Sequence, residues 1–197
     1  MRGHCLITGG GTGLGRGVAE ALGQSHAVSL VGRRRAPLEE TAATLPDAAA
    51  FAADVTDRSS LEAAVRDAEA RLGPITALVA AAGVSHTAPI ARTDPAMLRD
   101  MFAINVEGVL NAIQLVLPSM LAAGSGRIIA IASTASLKGY AYAGAYAATK
   151  HAVLGLIRSL ALETAKTGVT VNAVCPGFAV SSASERMSPR TACLVAA

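Results

Sequence analysis

Short, unbroken apolar runs alternate with longer stretches of helical period, and this alternation constrains the fold more than any other feature of the chain. "HCLIT" (4–8), "AVSLV" (27–31), "AAFAAD" (49–54), "ITALVAAAG" (75–83), "GRIIAIAS" (126–133) and "VTVNAVCPG" (169–177) read as strands. A strand with one wet face alternates apolar and polar residues, whereas these are apolar at almost every position, which requires cover on both faces. Helices are expected from the glycine turn after residue 8 to about Gly23, then over 37–45, 57–73, 94–124 and 145–168. Pro37 falls in a first turn, Gly73 and Pro74 follow an end, and Pro118 is expected to bend the longest helix. Strand, helix, strand in strict order predicts an α/β fold, a doubly wound parallel sheet, in one domain over 1–197 without repeat or linker.

Composition removes several classes of protein. An apolar fraction of 52% against 16% charged residues excludes a disordered chain. The net charge is only +3, and the arginines are dispersed except at Arg33, Arg34 and Arg35, so no nucleic-acid-binding stripe is expected. Cys5, Cys175 and Cys193 are odd in number and far apart. They suit neither a disulfide framework nor a zinc site, and reduced thiols in the cytoplasm are the expectation. No uninterrupted apolar run reaches the roughly 18 residues of a membrane span, and the N-terminus opens on a strand rather than a signal peptide.

"TGGGTGLG" (8–15) lies between the first strand and the first helix. Gly9, Gly13 and Gly15 let backbone approach a ligand, and the helix start offers unpaired N–H groups to a pyrophosphate, with Thr12 and Leu14 in the same turn. The spacing departs from G-x-G-x-x-G, so the placement between strand and helix carries the phosphate-binding reading, against a merely flexible turn. After the second strand, where an acid would suit the free 2′-hydroxyl of NAD, the chain has Gly32 and three arginines. Arg33 there favours the 2′-phosphate of NADP, although NAD stays open and three solvated charges are the plainer alternative.

"GYAYAGAYAATKHAV" (139–153) holds all three tyrosines of the chain, and two of its three lysines lie in or beside it. Tyr146 and Lys150 are four apart and share a helix face. A phenol ordinarily ionises near pH 10, and a neighbouring ammonium favours the phenolate, as proton exchange near neutrality requires.

Taken in order, "TGGGTGLG", Asp54-Val55, "AAG" (81–83), Asn105, Ser133, "YAATK" (146–150) and Pro176-Gly177 resemble the short-chain dehydrogenase/reductase family in its single-domain branch, from about Cys5 to Gly177. The resemblance implies a Rossmann-like sheet of order 3-2-1-4-5-6 and hydride transfer between a nicotinamide and a small-molecule carbonyl or alcohol. It implies Tyr146 as acid/base and Lys150 as its partner and ribose ligand. Ser133 would bind the substrate oxygen, and Asn105 would hold a water that links Lys150 to solvent. Asp54 and Val55 would meet the adenine, Ala82 and Gly83 the cofactor backbone, Pro176 and Gly177 the nicotinamide wall, and Ser181 the carboxamide. It also implies a homo-oligomer through the helices of Asn105 and Tyr146. Local readings stay open: a strand-end hydroxyl bond for Ser133, a local helix bond for Asn105, a turn acid for Asp54. His86, Tyr140 and Tyr142 are candidates for the mouth of the site.

Two departures from the family pattern stand out. Ala80 and Ala81 replace the usual asparagines, so a tie to the neighbouring strand is expected to be missing, at roughly 1 kcal/mol if its partner stays buried. Residues 178–197 read as an atypical, truncated tail that lacks the last strand, leaving an exposed sheet edge and an apolar patch. Besides the oxidoreductase, the sequence therefore leaves open an inactive cofactor-binding or subunit-association module. An extended-branch epimerase or dehydratase would need a larger substrate domain.

Overall fold

The computed structural model describes residues 2–177 and the backbone of 192–196. Six parallel strands form its sheet: β1 (His4–Thr8), β2 (Ala27–Gly32), β3 (Ala48–Ala52), β4 (Ile75–Ala80), β5 (Gly126–Ile131) and β6 (Val169–Pro176). A seventh, β7 (Ala192–Ala196), lies antiparallel on β6, and the order is β3-β2-β1-β4-β5-β6-β7. The expected order 3-2-1-4-5-6 is therefore present. The expectation that the tail leaves β6 as an open edge is corrected, since β7 pairs along it from Asn172 to Pro176.

Between the strands run α1 (Gly13–Leu22), α2 (Arg35–Ala42), α3 (Arg58–Leu72), α4 (Pro95–Phe102), α5 (Gly108–Ala123) and α6 (Gly144–Thr164). Asp57 starts α3 by accepting the Ser59 and Ser60 amides at 3.0 and 3.1 Å. Gly73 (φ 83°) and Gly124 (φ 60°) end α3 and α5 in the left-handed region, where a side chain would be strained.

Alternate residues of each strand feed two cores. Leu6, Leu78 and Ile128 meet the inner faces of α3, α5 and α6, while Ile7, Leu30 and Val79 meet α1 and α2. Each fully buried leucine contributes roughly 1.5–3 kcal/mol. Cover on both faces holds for β1, β2 and much of β4. On β5 and β6, Ile129, Ile131 and Val174 are only half-buried, so one sheet face there is thinner than the apolar runs imply.

The helix expected over 94–124 is interrupted. Ala103–Glu107 forms one π turn between α4 and α5, and Asn105 sits buried inside it. Helical residues Pro95–Ala123 are long and apolar enough, by length and composition, to cross a membrane. Arg99, Asp100 and Glu107 interrupt this stretch, so it holds no unbroken apolar run of that length. Val109, Ile113, Val116 and Met120 of its inner face pack into the core, which accounts for much of its apolar character.

His4 closes the base of the sheet. Its Nδ1 lies 2.7 Å from the Gly73 carbonyl and its Nε2 2.8 Å from Ser29 Oγ. A carbonyl only accepts, so Nδ1 carries the proton and Nε2 accepts from the serine in the neutral ring. Burial holds His4 below its ordinary 6.5, opposed by the Gly73 bond and by Glu69 and Asp47. The unfolded chain then binds more protons, so this contribution is whole above about pH 6.5 and is lost as pH falls through and below it. Urea melts at pH 7.5 and 5.5 should show wild type losing stability on acidification, and His4→Gln losing less; parallel losses would exclude His4 as the source.

Candidate active site

The carboxyl ends of β1, β2, β4 and β5 open onto a groove in two compartments. One, of about 260 Å³, lies between the glycine turn and Arg33, Arg34, Asp54 and Val55. The other, of about 290 Å³, lies between Gly13, Leu14, Gly15 and the pair Tyr146 and Lys150. Gly9, Thr12, Ala82 and Gly83 line both, so the two are joined.

Close approach dictates the glycines. A Cβ on Gly15 would stand 2.2 Å from the Gly9 carbonyl oxygen, and one on Gly9, whose φ is 71°, 2.8 Å from Ala82 backbone. No side chain caps α1 at Thr12, so its first amides stay available to a ligand. Thr8, which the sequence reading passed over, accepts the Ala81 and Ala82 amides on Oγ1, both at 3.2 Å. It supplies a tie between β1 and the loop after β4. Among the described residues no buried side-chain polar atom lacks a partner.

In the first compartment Arg35 turns away to pair with Glu39 at 3.2 Å, while Arg33 and Arg34 line the wall. Arg34 was legible only as one of three charges in a row. Asp54 makes the turn bonds expected of a strand-end acid, its Oδ1 accepting from the Thr56 amide and hydroxyl at 2.9 and 2.8 Å, and it also borders the groove.

In the second compartment Lys150 Nζ donates to the Ile131 carbonyl at 2.8 Å and stands 5.8 Å from the Tyr146 ring centre. Burial pushes this lysine down to about 8, with the neighbouring Cys175 acting the other way. Ammonium and phenol thus share one helix face and one cavity. By contrast Cys5, buried in the sheet, is pushed up to about 12 by desolvation, which leaves it an inert thiol.

Ser133 stands just beyond β5 and lines neither compartment. Its Oγ accepts the Ala135 amide at 3.1 Å, capping a short 3-10 turn at Thr134–Ser136. That is the local bond foreseen as the plainer reading, and it leaves the hydroxyl proton free to be donated outward. Asn105 lies behind Gly83, not in local helix bonds: its Oδ1 accepts the Val84 amide at 2.8 Å, and its Nδ2 donates to the Val84 carbonyl at 2.9 Å and to Thr149 Oγ1 at 3.0 Å. Pro176 ends β6 and Gly177 follows it, both outside the two compartments, and Ser181 lies outside the described residues. Tyr140 shares a 2.9 Å hydrogen bond with Thr134 and lies under Lys138 at 5.1 Å. Exposed Tyr142 holds a left-handed φ of 65° and accepts the Ala88 amide at 2.8 Å, joining the two loops at the mouth. Among the described residues no cluster suits a metal.

A glycine cradle, an uncapped helix start and a sheet-end groove with two arginines define an α/β domain of the dinucleotide-binding kind. Comparison with known proteins makes the assignment specific: the short chain dehydrogenase family model matches residues 3–191, and the chain belongs to that family of nicotinamide-dependent oxidoreductases. It is 35% identical to the 3-oxoacyl-[acyl-carrier-protein] reductase FabG of Staphylococcus aureus, over 95% of this chain and 79% of that protein. It is 36% identical to glycine betaine reductase ATRR of Emericella nidulans over 87% of its own length but only 14% of that much longer protein. Among solved structures, an actinorhodin polyketide ketoreductase with NADPH superposes with a TM-score of 0.87 at 36% identity, covering 89% of this chain and 70% of the other.

Proposed function

We propose that this chain reduces a carbonyl, or oxidises the matching alcohol, with Tyr146 as the proton donor and acceptor and with NADP preferred over NAD. The observation that carries this reading is the placing of Tyr146 and Lys150 on one turn of α6, facing the cavity that the glycine turn closes from the other side.

The residues present fit a nicotinamide dinucleotide. Gly9, Gly13 and Gly15 leave room for its pyrophosphate at the start of α1. Asp54 and Val55 flank the adenine compartment, and Arg33 and Arg34 suit a 2′-phosphate there. When bound, the nicotinamide supplies or takes up the hydride. The protein does the rest: Tyr146 passes a proton to or from the substrate oxygen, and Lys150, charged below about pH 8, holds positive charge beside it. Ser133 donates its hydroxyl proton to the same oxygen. Asn105 acts as a positioning residue, fixing the Gly83–Val84 edge through its paired bonds to Val84.

The test is NADPH oxidation with a panel of ketones and with acetoacetyl-CoA, a 3-oxoacyl thioester like the substrate in the name of FabG, beside a Tyr146→Phe control. Tyr146-dependent turnover supports the reading. NADPH binding by fluorescence without turnover would replace it by an inactive cofactor-binding module.

Cofactor preference has a separate test. Arg33→Ala removes a charge-assisted contact of about 1.5–3 kcal/mol, so Kd for NADPH should rise roughly tenfold or more while NADH is nearly unaffected. Equal weakening of both would reject the NADP preference. The exposed leucines Leu110, Leu121 and Leu162 on α5 and α6 are in keeping with a homo-oligomer through these helices. Light scattering should then give a mass above that of one chain, and a monomeric mass would exclude it.

A further inference from the structure

One buried hydroxyl in the catalytic turn is unused by the chemistry above. Thr149 lies three residues after Tyr146 and one before Lys150, and it is fully buried. Its Oγ1 donates to the Tyr146 carbonyl at 2.8 Å and accepts from Asn105 Nδ2 at 3.0 Å. A hydroxyl has one proton, so this donor and acceptor assignment is fixed: the Asn105 amide can only give, and the carbonyl can only receive.

The chain of bonds continues beyond Asn105. Its second Nδ2 proton goes to the Val84 carbonyl, and its Oδ1 takes the Val84 amide. Both amide protons of Asn105 are therefore used, while Oδ1 keeps one lone pair. That oxygen lies beside the cavity: a Cβ on Gly83 would stand 3.1 Å from it and 3.7 Å from Lys150 Nζ. The π turn at Ala103–Glu107 brings Asn105 between the loop after β4 and α6.

We propose that Thr149 is a positioning residue, the hydroxyl joint that locks the turn carrying Tyr146 and Lys150 to the Asn105 amide and so to the Gly83–Val84 edge of the cofactor groove. This rests on the function proposed above. Removing the hydroxyl leaves one buried Asn105 N–H unpaired, which that amide can relieve only by shifting against Val84 or α6. The lost contact is small in energy, but a displacement of the reacting groups by a fraction of an ångström is costly to the rate.

The experiment compares Thr149→Ala, Thr149→Val and Thr149→Ser. Valine keeps the shape without the hydroxyl, and serine keeps the hydroxyl. Turnover is followed with NADPH and acetoacetyl-CoA or the best ketone, NADPH binding by fluorescence, and the Val84 amide by hydrogen exchange. For alanine and valine, kcat should fall about tenfold and the Val84 amide should exchange about tenfold faster, as expected for one lost buried hydrogen bond, with NADPH Kd nearly unchanged. Serine should restore both to within about twofold.

Lower melting temperatures with kcat and Val84 protection unchanged would overturn the proposal. So would a serine variant as impaired as alanine. A wild type inert toward every carbonyl, yet with Val84 exchange still responding to Thr149→Ala, would reject the function proposed above while supporting the joint itself.

Discussion

Tyr146→Phe should abolish carbonyl reduction while leaving the fold and NADPH binding in place. The substitution removes one oxygen atom from a half-buried side chain, and among the described residues no hydrogen bond that supports α6 uses that oxygen. Losing a general acid costs typically 10²–10⁴-fold, so kcat should drop about a thousandfold. The melting temperature should stay within a few degrees and NADPH should bind with similar Kd. A variant that keeps a tenth or more of wild-type kcat would remove Tyr146 from the chemistry. Lys150→Met makes an informative companion, because Lys150 also anchors to the Ile131 carbonyl, so both kcat and cofactor binding should suffer.

The second large effect is structural. Gly15→Ala places a methyl group where the Gly9 carbonyl oxygen would be 2.2 Å away, and these Gly9 and Gly10 contacts are backbone that cannot swing aside. Either the turn opens or α1 moves, and both destroy the cradle. Overpacking of this kind costs about 1–3 kcal/mol of stability. NADPH binding should suffer more, with Kd raised roughly a hundredfold or more, about 3 kcal/mol. Gly13→Ala is the matched control: its Cβ would meet nothing within 4 Å, although its φ of 55° still penalises a side chain. Unaltered NADPH affinity in Gly15→Ala would refute the cradle as the binding element.

The sequence was most legible where one residue type has one physical use. Glycines at positive φ or in backbone contact marked the turn, and a rare tyrosine four residues from a rare lysine marked the helix face. Ser133 was legible by its place near a strand end, but not by its capping bond to the Ala135 amide. Thr8 and Thr149 were missed because a threonine is unremarkable in a strand or helix until a distant chain segment presents amides to it. Ala81 and Ala82 lie 73 and 74 residues from Thr8, and Asn105 lies 44 from Thr149. The π turn left no signal either, since one extra residue in a helical stretch hardly disturbs its apolar period.

Local pattern by itself determined the order of strands and helices, the glycine turn before α1 and the Tyr146–Lys150 pair. These depend on residues within a turn or two of one another, where spacing fixes geometry. Only the tertiary structure decided that Arg33 and Arg34 rather than Arg35 face the groove, that Asn105 bonds to Val84 and Thr149, and that the chain end returns antiparallel along β6. Each of those depends on which distant backbone arrives alongside, and burial of the whole sheet settles that, not the spacing of neighbours.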